Sequence, residues 1–398
     1  MLKQIGAASL LLGFALALCK PAIADDTMRI GFLTDMSGAY ADLDGRNGAV
    51  AIQMAIDDFG GKVNGMPIEL LTADHQNKPD IALATAREWM DSKHISMLVG
   101  GTNSAVAVAV AGLAAEKKVP FLANGPGTSA LSNEACNPFT IHYAYDTVAI
   151  ARGTAGAMVK QGYKDWYFLV ADYAFGAALQ RDAMTVITAG GGRMIGSAKH
   201  PVGTADFSAY LVQAAAAKPQ ILGIANGGSD MVNALKAIKE FGLDQNMKIA
   251  SLLMFITDVH SMGLQDAGGL LFTTSWDWNL NDESRAFGRR FYATTGRMPT
   301  DVQAADYSST MTYLKAVRTL GTADSEKVMA HLKSTKLKDF YAEGYVRADG
   351  RYVHNMYLMQ VKTPAESHEP WDYLKVVATM PGDEVFTTKA ETRCPLWK

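Results

Sequence analysis

Two short loops hold the residues best suited to chemistry in this 398-residue chain: Gly100-Gly101-Thr102-Asn103-Ser104 and Asn124-Gly125-Pro126-Gly127-Thr128-Ser129. Each follows an apolar, strand-like run, and the first leads directly into a helical stretch of small residues. A helix start leaves backbone N–H groups without intrahelical acceptors, and its dipole favours negative charge. Such a loop can seat a carboxylate. Ser104 and Thr128 add hydroxyl donors, and Asn103 and Gly127 belong to the same loops. Helix capping and turn formation use the same residue types, so the loops alone leave both readings open.

Catalysis finds less support. The chain has no phosphate-loop signature and no G-x-S-x-G elbow. Its eight histidines are scattered, with no pair at helical spacing, so no metal site is expected. Gly125–Gly127 resembles half a dinucleotide fingerprint but lacks the third glycine, and no cofactor is expected. A net charge of −3 without a basic stripe argues against nucleic acid as a partner.

The positioning elements are β and α patterns in alternation. Residues 28–34 form a β-rich apolar run, and Ile52, Ile56 and Phe59 then recur on one helical face. Gly60-Gly61 supplies the stop. Strands are expected at 67–73, 96–99 and 119–123, and helices at 81–93 and 104–116. A second run follows, with helices at 147–162, 175–189, 207–217 and 229–241 and strands at 166–171, 193–198, 221–225 and 248–255. Repeated βα units mean parallel sheets covered by helices on both faces, an α/β fold with a lobe boundary near 143–146. Beyond 269–275 come helices at 283–295, 301–319 and 325–334, then hairpin-like strands.

Residues 1–24 carry the three parts of a signal peptide: Lys3, the apolar stretch Ala7 to Leu18, and Ala22-Ile23-Ala24, which places the mature start at Asp25. A lipoprotein reading would use Cys19, but bulky Leu18 occupies the position that needs a small residue. No later apolar run is long enough to span a membrane. Export leaves Cys136 and Cys394, an even pair in an oxidising compartment and hence a candidate disulfide.

Several longer segments, in order, give the chain a likeness. These are TDMSGAYADLDGRNGA, LVGGTNSAVAVAVAGLAAEKKVPFLANGPGTSALS, ADYAFG, GTADFSAYLVQAAAAKPQIL and MVNALKAIKEFGL. With them the chain resembles a type I periplasmic solute-binding protein of the leucine/isoleucine/valine-binding family. The resemblance implies two Rossmann-like lobes joined by three crossover segments, residues 25–143 with 276–348 and 144–275 with 349–398. It implies a monomer that traps a small ligand and delivers it to an ATP-driven permease of the inner membrane. It also implies that the two loops hold the ligand's carboxylate, with Ser104 and Thr128 at matching positions.

In the second lobe the chain departs from that pattern. Amino-acid-binding relatives place a glutamate near the end of the strand expected at 248–255, to pair with an ammonium group. Here the stretch reads SLLMFITD, with Met254 in the neighbourhood and no acid aligned. An unpaired buried ammonium costs several kcal/mol, so a ligand without an α-amino group is expected. Asp146 or Asp258 could supply the missing charge, or each could cap a helix.

Tyr40, Tyr173, Phe175, Trp276 and Trp278 are candidate walls, the two tryptophans sharing one face if they lie in a strand. Asn226-Gly227 follows another strand and could present amide groups. The expectation is a small aromatic or branched carboxylate bound in a cleft by a non-enzymatic periplasmic importer subunit. An amino-acid carrier, a periplasmic sensor and an exported hydrolase are the rivals.

Overall fold

The computed structural model describes residues 27–398; the expected leader, with Cys19 and the cleavage site, lies outside the described residues. The first sheet has the order β2-β3-β1-β4-β5-β6. Its strands are β1 (Met28–Thr34), β2 (Lys62–Val63), β3 (Met66–Asp74), β4 (Met97–Gly100), β5 (Phe121–Ala123) and β6 (Thr140–His142). All pairs are parallel except β2 with β3. The second sheet, order β10-β9-β7-β8, is wholly parallel. It comprises β7 (Asp165–Ala171), β8 (Arg193–His200), β9 (Ile221–Ala225) and β10 (Lys248–Ser251).

Both sheets change winding direction internally, the first between β1 and β4 and the second between β7 and β9. Open α/β sheets bind ligands outside the carboxyl ends of strands at such switch points. The loops there are residues 35–44 and 101–103 in the first sheet, and 172–173 and 226–228 in the second.

Local chemistry explains the elements. The helix Gly45–Phe59 buries Ala51, Ile52, Ala55 and Ile56 and ends at left-handed Gly60, φ 100°. Its partner is the helix Asp301–Leu320, opened by a capping box of Thr300 and Gln303. Each fully buried isoleucine contributes roughly 1.5–3 kcal/mol.

Two expected elements differ. The helix expected at 147–162 runs from Thr147 to Lys160 with a π-turn at Ala151–Ala155. There Gly153 has no Cβ to obstruct Thr273 or Met380, and Thr154 Oγ1 bonds Thr273 Oγ1 at 2.9 Å. The strand expected at 248–255 stops at Ser251. Its partner β9 ends at Ala225, and the chain turns into the helix Ile256–Met262, where the Asp258 carboxylate takes the Phe255 N–H at 2.9 Å.

Three antiparallel strands, β11 (Leu271–Thr274), β15 (Met356–Val361) and β16 (Leu374–Met380), form a separate ladder. Another joins β12 (Lys336–Lys338), β13 (Glu343–Val346) and β14 (Tyr352–Val353). β14 pairs with β13 across residue 349. Cys394 is bonded to Cys136, with Cα atoms 5.8 Å apart, which ties the chain end to the segment before β6.

The crossover segments are knitted by one buried arginine. Arg351 donates to the carbonyls of Tyr143, Ala144, Tyr145 and Tyr352 at 2.6–3.0 Å. His354 Nε2 meets the Ala144 carbonyl at 2.8 Å, and Asp301 accepts from the Ser275 hydroxyl at 2.7 Å.

The disulfide fastens a tail that also touches Arg152, which donates to Phe386 O at 2.6 Å, and Arg347, which donates to Thr387 O at 2.6 Å. Its cross-link spans 258 residues, so C136S/C394S should lose up to about 5 kcal/mol in the chain-entropy picture. Denaturant unfolding measures the loss. Thiol titration of unfolded, unreduced mature protein should find no free thiol; two would show that the bond does not form.

Candidate ligand-binding site

The switch-point loops of the two sheets meet. Ser229 N donates across to Ala39 O at 3.0 Å, and the Tyr40 and Tyr173 hydroxyls lie 2.6 Å apart. Gly228, at φ 62°, brings its backbone so close to Ala39 O and the Tyr40 ring that a Cβ would not fit. Between the sheets lies a small cavity of about 20 Å³ lined by Tyr40, Leu43, Thr102, Asn103, Ser104, Gly125, Pro126, Gly127, Tyr145, Tyr173, Phe175 and Leu253.

Six expected residues therefore come together here: Tyr40, Asn103, Ser104, Gly127, Tyr173 and Phe175. Asn103 occupies a strained backbone position, φ 152° and ψ 120°, unusual for a residue with a side chain. Its Oδ1 accepts from Ala105 N and Val106 N at 3.0 and 3.1 Å. Two first-turn donors are thereby used, and the Ser104 N–H has no intrahelical acceptor. Ser104 Oγ accepts from Thr128 N at 3.2 Å, which leaves its own proton available to the cavity. Gly127 is a second close approach of the lobes: a Cβ would lie 2.6 Å from the Phe175 ring and 3.3 Å from that of Tyr145.

The remaining expected residues lie elsewhere. Thr128 caps the 3-10 turn Ser129–Ser132, its hydroxyl facing Ala130 N at 3.4 Å. Asp146 is buried and caps the helix at Thr147 through Ala149 N at 2.8 Å, with Arg351 3.9 Å away. Burial raises its carboxyl above the ordinary range. Asp258 is pushed up to about 8 by burial and serves Phe255 N. Neither acid lines the cavity.

Asn226 lies beneath the cleft, its amide 3.2 Å from His200 Nε2. Gly227 packs on Leu253, and that leucine, not Met254, reaches the cavity because the chain has already left the strand at Ser251.

The tryptophans correct the strand expectation. β11 ends at Thr274, and Trp276 and Trp278 follow it in a turn. Trp276 donates to Ser284 Oγ at 3.0 Å and packs edge-on to Phe287 and Phe340, while Trp278 donates to Trp371 O at 3.1 Å. Both rings belong to the core.

Sequence reasoning overlooked Leu43, Thr102, Gly125, Pro126 and Tyr145, and favoured Met254 over its neighbour Leu253. Thr102, Gly125 and Pro126 sit inside the two loops already marked, so the signal was present at loop resolution. Tyr145, beside Asp146 in a crossover segment, carried none.

Among the described residues no charged side chain lines the cavity; its polar groups are phenols, hydroxyls, an amide and the backbone. Burial holds the Tyr40 and Tyr173 phenols well above their ordinary range, so both stay neutral.

Two parallel-sheet lobes closing on a small enclosed cleft define a solute-trapping protein of the type I binding-protein fold. The chain belongs to the periplasmic binding protein family, whose model matches residues 27–367. It is 58% identical to a periplasmic binding protein from Burkholderia mallei, over 94% of this chain and 100% of that one, with a TM-score of 0.93. A branched-chain amino acid ABC transporter periplasmic ligand-binding protein from Burkholderia xenovorans is 38% identical, over 94% and 100% of the two chains, with a TM-score of 0.83. The fold is shared with an R. palustris solute-binding protein solved in complex with benzoate, at 20% identity, 93% and 100% coverage and a TM-score of 0.83. No curated protein matches the chain. The family consists of the substrate-binding components of ABC transporters.

The phenol pair predicts a cross-cleft effect. Y173F or Y40F strands one buried hydroxyl and should shift the balance toward opening by roughly 0.5–1.5 kcal/mol. Hydrogen exchange at the Ser229 amide should then quicken roughly two- to tenfold. Unchanged exchange in both variants would show that the phenols do not hold the lobes.

Proposed function

We propose that this chain is the periplasmic subunit of an ATP-driven importer and binds a small organic carboxylate without an α-amino group, aromatic or branched. The reading gives the protein no catalytic role and makes it a monomer exported through residues 1–24. Residues 25–143 with 276–348 close on 144–275 with 349–398, and the permease reads the closure. Ligand favours the closed form by its differential affinity for that state.

The observation that carries the reading is the absence of any carboxylate or cation among the cavity-lining residues, beside the Ser104 hydroxyl and N–H at the start of the helix Ser104–Lys117. A carboxylate finds donors and a favourable helix dipole there; an ammonium finds no counter-charge. Tyr145, Tyr173 and Phe175 offer flat faces to a ring. The benzoate-bound R. palustris protein has the same fold, so that architecture can enclose such a ligand.

A second reading keeps an amino acid, favoured by the name of the B. xenovorans relative and by Asp230. That carboxyl is pushed up to about 6 by burial, and its charge acts on both Tyr40 and Tyr173.

A thermal-shift panel of benzoates, cinnamates, branched 2-oxo acids and free amino acids separates the readings. A ligand at a hundred times its Kd should stabilise by about 2.7 kcal/mol. Stabilisation by leucine or valine with none by deaminated acids would overturn the first reading. S104A should weaken the effective acid by roughly 0.5–3 kcal/mol, and unchanged affinity would leave Ser104 a structural residue.

N103D provides a charge test. Aspartate retains the capping oxygen, so stability should change by less than about 1 kcal/mol, while a negative charge at the seat should weaken an anionic ligand. Tighter binding would instead mark a cationic group at that end.

A further inference from the structure

Behind the cavity two buried carboxyl groups face each other. Asp44 ends the first loop and Asp306 lies on the helix Asp301–Leu320, and both are fully shielded from solvent. Asp44 Oδ2 accepts from the Thr34 hydroxyl at 2.5 Å and from the Thr102 hydroxyl. Asp306 Oδ1 accepts from Asn124 Nδ2 at 2.7 Å. The other oxygen of each, Asp44 Oδ1 and Asp306 Oδ2, has no hydrogen-bond partner among the described residues. Both unpartnered oxygens crowd the same point above Gly48, where a Cβ would lie 2.3 Å from Asp44 Oδ1 and 2.6 Å from Asp306 Oδ2.

Two buried carboxylates cannot crowd one point without a proton between them. We propose that Asp44 and Asp306 share one proton, held on Asp306, and that this pair positions the three first-lobe loops that line the ligand cavity. The proposal rests on the cleft described above being the ligand site, but its test does not require a ligand.

The surroundings decide which partner is charged. Asp44 receives two hydroxyl protons and sits at the N-terminus of the helix Gly45–Phe59, where the dipole favours an anion. Asp306 receives one amide and lies inside a helix. The Asp306 proton therefore points to Asp44 Oδ1.

Burial and the neighbouring charge raise Asp306 well above the carboxylate range, and burial raises Asp44. The further charge acting on Asp44 is Asp35, from the start of the same loop. The flanking loops and the helix Asp301–Leu320 present neutral groups: Thr102, Asn124, Gln303 and Ser309.

Each contact of the pair reaches a cavity-lining loop. Asp44 adjoins Leu43, Thr102 lines the cavity itself, and Asn124 precedes Gly125. Gln303 secures the Asp44 carbonyl at 3.0 Å and Thr300 that of Leu43 at 2.5 Å. With one proton the cluster carries one negative charge behind the ligand seat rather than two. A doubly ionised pair would oppose any anion bound there.

The test uses D306N, D306A, D44N and D44N/D306N in the ligand-free protein. In D306N the amide oxygen accepts from Asn124 and the NH2 group donates to Asp44, which mimics the proposed state. D44N leaves Asp306 to carry the charge, and the double variant sets two NH2 groups against each other. The infrared difference spectrum of wild type against D306N at neutral pH should show a protonated carboxylic acid band lost with Asp306, distinct from the absorption of Asp258 that both proteins share. Hydrogen exchange across residues 35–44, 101–104 and 124–128 should quicken about tenfold or more in D306A, as an unmade buried hydrogen bond implies, and remain near wild type in D306N.

The folded pair holds a proton that the unfolded chain releases above pH of about 4. Wild type should therefore lose stability relative to D306N as pH rises from there through the pair's titration. Thermal unfolding against pH reads the difference. The proposal is overturned by D306N exchanging as fast as D306A, by no acid band lost in D306N, or by a pH-independent stability difference. Failure of benzoate or amino acids to bind would overturn the ligand reading and leave these outcomes intact.

Discussion

The first lobe's side of the cleft depends on one buried carboxylate. Asp44 gathers the hydroxyls of Thr34, at the end of β1, and Thr102, in the loop after β4, while its own carbonyl is held by Gln303 from a distant helix. Three segments far apart in sequence thus converge on one side chain. A buried charge without partners costs several kcal/mol, so these contacts are obligatory and the loops have little freedom to relax. That rigidity matters if, as proposed, the donors offered to a ligand are a backbone N–H and a hydroxyl. Such groups are effective only when already oriented.

The second lobe meets this rigid surface with apolar and phenolic groups. Phe175 packs where Gly127 lacks a Cβ, Leu253 closes one wall, and Tyr173 reaches Tyr40. The polar seat therefore belongs to one lobe and most of the aromatic cover to the other. Closure brings them together through few polar contacts, which suits a trap that must open again. The crossover segments are held differently. Arg351, buried with its donors satisfied by the carbonyls of Tyr143, Ala144, Tyr145 and Tyr352, fixes where the segments run without joining the cleft.

Much of the fold was legible because βα repetition writes itself into periodicity. Ile52 and Ile56 on one helical face, the Gly60-Gly61 stop and the glycine-rich loops after β4 and β5 are local signals. The misreadings share a cause. Trp276 and Trp278 read as cleft walls because aromatic residues after a strand suit either role; only their bonds to Ser284 and Trp371 assign them to the core. β10 read four residues too long because Leu252 to Phe255 are apolar enough for a strand, whereas the strand's length is set by β9 beside it.

The sequence by itself determined the α/β architecture, the family and the loops after β4 and β5 that contribute to the cleft, since each depends on residues near one another in the chain. It also marked Cys136 and Cys394 as a pair. Only the tertiary structure decided which of the acids lie near the ligand cavity and which cap helices, because a carboxyl group's role depends on what burial places around it. Asp146 and Asp258 proved to be caps; Asp44 and Asp306, distant in sequence, are brought together over Gly48. A contact between residue 44 and residue 306 leaves no periodic trace in either segment, and it forms only when the helix Asp301–Leu320 packs on the helix Gly45–Phe59.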